Sequence, residues 1–116
     1  MSESHTRRVL EPFGWIFQMI TGLLLFAFVI FHLYITHLTS HDALEYAKVV
    51  ERLSNPAIKA FYWLFLASAS FHAFNGLRAI LLDTDFGGRN ERAVNAMTML
   101  LFLIAVVYGG LLLITF

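Results

Sequence analysis

The sequence contains no cysteine. Disulfides, zinc ribbons and thiolate-held iron–sulfur clusters are therefore excluded from this chain. Any redox chemistry must run through histidine or through a partner chain. Charge is scarce as well. Only 14% of the 116 residues are charged, against about a quarter in ordinary soluble domains. Eight basic and eight acidic side chains cancel, so no nucleic-acid or polyanion surface is expected. There is no G-x-G-x-x-G, so no flavin or dinucleotide fingerprint. A secretory signal is not expected either. The opening "MSESHTRRVLEPFG" is polar with two acids, and the apolar run behind it is too long for a signal core.

What is present is apolar: 59% of the residues, with a mean hydropathy of +0.70. Three long stretches carry it. Residues 14–38 read "GWIFQMITGLLLFAFVIFHLYITHL", without a formal charge. Residues 57–82 are uncharged between Lys59 and Arg78, and residues 93–116 are uncharged throughout. Each exceeds the roughly 20 residues needed to cross about 30 Å of hydrocarbon. A spanning segment must satisfy its own backbone, so all three are predicted helices. The expected fold is all-α: a single three-helix transmembrane domain over residues 1–116, with helices at about 14–38, 57–82 and 93–115. Three crossings place the termini on opposite sides.

A short interfacial helix is predicted at about 41–53. Ser40 would be its N-cap, Asp42 would suit its first turn, and Asn55-Pro56 would stop it. Leu44, Ala47, Val50 and Leu53 would form its apolar stripe. The second loop, with Gly87-Gly88, is turn-rich. Arg7, Arg8, Arg78, Arg89 and Arg92 on one side, against Lys48, Arg52 and Lys59 on the other, favour a cytoplasmic N-terminus. Trp15 and the Tyr62-Trp63 pair suit the membrane interface.

Chemistry in the spans falls to histidine. Ionisable groups there are costly and usually face a bundle interior. A neutral imidazole is also a good axial ligand for heme iron, although a buried histidine can simply hydrogen-bond a neighbouring helix. Gln18, Thr21, Gly22, Leu25 and His32 share a stripe at 3.6 residues per turn, and His37 is rotated roughly 140° from His32. On the second helix His72, Asn75, Gly76 and Ala79 share a face. Gly76 would let a flat macrocycle lie against the helix, or would merely permit close helix packing. Arg78 would snorkel and pair with Asp83 or with an anion such as a heme propionate. His72 lies about 15 Å from one end of its helix and His32 about 25 Å along the first. Two levels suit two hemes, each needing a second histidine from another chain.

The stretch "HAFNGLRAILLD" has the pattern H-x3-G-x-R-x4-D. With "WIFQMITGLLLFAFVIFHLYITHL" it resembles the three-helix membrane-anchor (cytochrome b) subunits of succinate:quinone oxidoreductases, the succinate dehydrogenases and fumarate reductases. The resemblance covers essentially the whole chain. It implies a prokaryotic inner-membrane complex of flavoprotein, iron–sulfur subunit and two three-helix anchors holding heme b and quinone. The chain would pass electrons from the iron–sulfur subunit to quinone without oxidising succinate itself. His72 takes the place of the family's heme ligand, and His32, with His37 as fallback, that of the second. The resemblance sets Arg78, Gly76 and Asn75 at the heme pocket, and Gln18, Thr21, Trp15 and Asp83 at the quinone pocket. Two positions depart from the pattern: Thr84 stands where many relatives have tyrosine, and Met19 where others have arginine. The companion anchor or the iron–sulfur subunit would then supply the main quinone contacts. A heme-free anchor, another b-type cytochrome anchor, or a small transporter with a proton-relay histidine are the competing readings. The last requires acids in the spans, and there are none.

Overall fold

The computed structural model describes residues 2–116, with side chains from Phe13 onward. The side chains of Arg7 and Arg8, used above for orientation, lie outside the described residues. Helix α1 runs Ser2–Leu33 and continues as a π-helical turn over Tyr34–Leu38. Helices α2 (Tyr46–Ser54), α3 (Pro56–Leu82), α4 (Asp85–Arg89) and α5 (Glu91–Thr115) follow. There is no strand among the described residues. Three segments are long and apolar enough to cross a membrane: Phe13–Leu38, Pro56–Leu82 and Glu91–Thr115.

Helix α3 is the middle of the molecule and packs against both α1 and α5, while α1 and α5 scarcely meet. The molecule measures 55 × 25 × 23 Å. The α1–α3 pairing is antiparallel: Thr21 meets His72, Phe28 meets Phe65, and His32 meets Tyr62.

Burial is inverted relative to a water-soluble protein. The buried apolar residues are Ile35, Ala43 and Val94, whereas Thr21, Thr36, Ser68, Ser70 and Thr98 are buried polar ones. Leu23, Phe26, Tyr108 and Ile114 lie open on the outside. Lipid tails are as apolar as leucine, so only close packing and hydrogen bonds hold such helices together. Small residues supply the close packing. A Cβ on Gly109 would come within 2.6 Å of Leu66, and one on Gly110 within 2.9 Å of Trp63. The three buried threonines bond back into their own helices: Thr21 to the Phe17 carbonyl, Thr36 to that of His32 and Thr98 to that of Val94.

The connections differ in detail from the sequence reading. Ser40 caps no helix. Residues 41–45 form turns, Glu45 N–H donates to the Asp42 carbonyl, and α2 begins only at Tyr46. The Ser40 hydroxyl nearby holds the Asp42 carboxyl below the usual carboxylate range. Leu44 thus precedes the helix and is exposed. Asn55 ends α2 and caps α3, its side chain accepting from Ala57 N–H with Pro56 at the first helical position. At the other end Thr84 caps α4, accepting from Gly87 N–H at 2.9 Å. A Cβ on Gly87 would strike the Leu81 carbonyl, so this turn requires glycine.

Candidate functional site

The α1–α3 contact holds two polar clusters at different depths. The first is built around His72. Its Nδ1 lies 3.2 Å from the Gln18 carbonyl oxygen and 3.2 Å from Thr21 Oγ1. A carbonyl only accepts, so Nδ1 carries the proton and Nε2 keeps its lone pair. The Thr21 hydroxyl donates to the Phe17 carbonyl at 2.7 Å, which frees its oxygen to accept from the imidazole. Gln18 closes the cluster: its Nε2 donates to the His72 carbonyl at 3.0 Å, and its Oε1 accepts from Asn75 Nδ2 at 2.9 Å. Nε2 of His72 has no hydrogen-bond partner among the described residues, and no unpaired side-chain nitrogen is fully buried. That nitrogen is reachable from outside the chain.

Glycines let the two helices approach at this level. A Cβ on Gly22 would sit 3.2 Å from His72 Cε1, and one on Gly76 would sit 2.9 Å from Gln18 Nε2. The space beside Gly76 is thus filled by Gln18 of the same chain. Of the two uses open to Gly76 from its spacing, close helix packing is the one this contact serves.

The second cluster surrounds His32. Its Nδ1 is 2.9 Å from Tyr62 Oη, and its ring stands edge-on to Tyr62 and Phe65. Phe28, Phe31 and Phe61 complete an aromatic wall beside it. Eleven residues of α1 separate Thr21 from His32, and ten of α3 separate Tyr62 from His72, which sets the two levels about 15 Å apart. His37 falls in the π-helical turn and is exposed. With i to i+5 bonding, that turn winds more widely than an α-helix, so His37 is offset from His32 by less than the 140° of regular geometry.

The remaining expected site residues are not brought to His72. Trp15 is 65% exposed on the outer face of α1, and Asp83 is the exposed C-cap of α3. Arg78 does not pair with Asp83; its Nε donates to Asn95 Oδ1 on α5 at 2.6 Å. Six residues beyond His72, it lies roughly 120° around α3. Beside it a cavity of ≈ 240 Å³ opens between α3 and α5, with Asn75 and Thr98 in its lining. Sequence reading missed Asn95 and Thr98, and it took Tyr62 for an interface residue. The i, i+3 spacing of Asn95 and Thr98 was the available signal: they are polar residues inside the third span. No cluster of three or more His, Asp or Glu side chains exists among the described residues.

The chain matches, over residues 6–112, the family described as Succinate dehydrogenase/Fumarate reductase transmembrane subunit. It belongs to that family. The succinate dehydrogenase hydrophobic membrane anchor subunit of Archaeoglobus fulgidus is 59% identical over 103 residues, 89% of this chain and 88% of that one. The subunit of the same name from Thermoplasma acidophilum is 32% identical, over 82% of this chain and 78% of that one. The succinate dehydrogenase cytochrome b558 subunit of Bacillus subtilis is 30% identical over 84% of this chain, which spans 51% of the longer relative. As a succinate dehydrogenase and fumarate reductase transmembrane subunit, the chain is a multi-pass membrane protein that associates with catalytic subunits. In this anchor, Thr84 is accounted for by its cap on α4, and Met19 is half-exposed on α1.

Proposed function

We propose that this anchor ligates heme b through His72 and relays electrons from the iron–sulfur subunit to membrane quinone. The observation that carries the reading is the Nδ1 bond of His72 to the Gln18 carbonyl. Histidines that ligate metals almost always donate their other N–H to such an acceptor, which fixes the tautomer and raises ligand basicity. The residues present fit the group: a reachable Nε2, a fixed ring and, among the described residues, no competing acid beside it. When bound, heme supplies one-electron chemistry at a potential set by its axial ligands and their hydrogen bonds.

His32 is proposed as the ligand at the second level, with Tyr62 Oη accepting from its Nδ1, and His37 as the fallback. Each level offers one histidine, so the opposite ligand of each of two hemes comes from the companion three-helix anchor. Gln18 and Thr21 act through His72, since their polar atoms are engaged there. Trp15 and Asp83 remain available for quinone at the end where α3 meets α4, and the companion anchor or the iron–sulfur subunit supplies the main contacts. The five-to-three excess of basic residues supports placing that end, and the N-terminus, on the cytoplasmic side of a prokaryotic membrane. The His72 hydrogen bonds also favour a second reading, a heme-free anchor in which the imidazole only ties α1 to α3.

The test is His72→Ala in the purified complex. A b-type signal should disappear from the reduced-minus-oxidised spectrum while the chain still inserts and assembles. An unchanged spectrum sinks the ligand assignment and leaves the heme-free reading.

A further inference from the structure

Arg78 holds a guanidinium inside a membrane span, and no carboxylate pairs with it among the described residues. Its hydrogen bond to Asn95 is to a neutral amide and uses Nε alone. Asp83 is not paired with it, and the cavity beside it adds only neutral polar groups, Asn75 and Thr98. A cation at membrane depth is costly unless it meets an anion or reaches the interface. Arg78 lies four residues, about 6 Å, before the end of α3 at Leu82. That is phosphate-facing depth for a side chain as long as arginine.

The cavity is graded along the membrane normal. Arg78 and Asn95 stand at its outer end; Phe71 and Phe102 lie deeper, about 10 Å further in along α3 and α5. Phe74 and Met99 fill the middle. The slot is smaller than the roughly 300–1,000 Å³ typical of enclosed ligand pockets. It suits a length of hydrocarbon chain better than a ring system.

We infer that this groove between α3 and α5 is a binding site for an anionic phospholipid. The phosphate bonds the free Nη groups of Arg78, and one acyl chain lies along Phe74, Met99 and Phe102. Asn95 holds the guanidinium in place for it, as charge-assisted bonds to phosphate require a fixed donor geometry. The groove opens on the α5 side of α3 and shares Asn75 with the His72 cluster, which faces α1. A neutral quinone would leave the arginine uncompensated.

The test uses the whole complex extracted in mild detergent, as wild type, Arg78→Gln and Phe102→Trp. Tightly held phospholipid is counted by lipid phosphorus and by mass spectrometry of the intact complex. Wild type should retain a stoichiometric anionic phospholipid that both variants lose, one by charge and one by filling the slot. Phosphatidylglycerol in mixed micelles should rebind to delipidated wild type and not to Arg78→Gln, and phosphatidylcholine should rebind less well. Phe102→Trp should keep its heme absorbance, and all three proteins should assemble with the other subunits. Equal phospholipid in the three overturns the proposal. So does an Arg78→Gln complex that keeps its lipid and loses heme absorbance, which would return Arg78 to a heme propionate, or the recovery of quinone from the slot.

Discussion

His72 and Gln18 are bonded to each other twice: the imidazole Nδ1 donates to the Gln18 carbonyl, and the Gln18 amide donates to the His72 carbonyl. Thr21 makes the third contact, at 3.2 Å. Thr21→Val removes that contact and leaves the carbonyl bond. The variant should keep its heme and change its reduction potential, since hydrogen bonds to a ligating imidazole tune its basicity. A hydrogen bond of this kind is worth about 1 kcal/mol net. Potentiometric titration checks it; an unmoved midpoint would detach Thr21 from the site.

Gly22 and Gly76 should respond differently to alanine. At Gly22 the new methyl meets the His72 ring, 3.2 Å from Cε1, and a fixed ring has nowhere to go. At Gly76 it meets the tip of Gln18, which is flexible. Gly22→Ala should therefore broaden or shift the His72 heme signal. Gly76→Ala should disturb the bond from Gln18 Nε2 to the His72 carbonyl and leave that signal nearly as it was. Low-temperature spectra of the two variants make the comparison.

At the second level, His32→Ala should remove one heme and His37→Ala should not. Tyr62→Phe should keep that heme at an altered potential. The reverse pattern for the two histidines would move the assignment to the π-helical turn.

The α3–α5 seam depends on Gly109 and Gly110. Gly110→Val places methyl groups into Trp63, where a Cβ alone already reaches 2.9 Å. Overpacking of this kind costs about 1–3 kcal/mol. The complex should melt at a lower temperature while the His72 absorbance is retained, as thermal unfolding in detergent will show.

The three spans were legible because each is a long uncharged run, and length plus hydropathy alone decide a crossing. The polar stripe Gln18–Thr21–Gly22 and the His72–Asn75–Gly76 face were legible because helical periodicity fixes which side chains share a side. That they meet each other was not, since nothing in a single stripe says which helix faces it. Arg78 was expected to snorkel and pair with Asp83 or with an anion such as a heme propionate. Six residues of helix from His72 turn it towards α5, where Asn95 receives it. The π-helical turn at Tyr34–Leu38 has no sequence signal, and it changes the relation of His37 to His32. Ser40 looked like a cap, but the chain turns between it and the start of α2 at Tyr46, with Glu45 N–H bonding the Asp42 carbonyl.

The most direct test of the central claim is the heme content of the purified wild-type complex, counted against this chain by reduced-minus-oxidised spectra. Two b hemes per copy are predicted, one at the His72 level and one at the His32 level. A single heme would confine ligation to His72. A complex that transfers electrons to quinone with no heme at all would contradict the account.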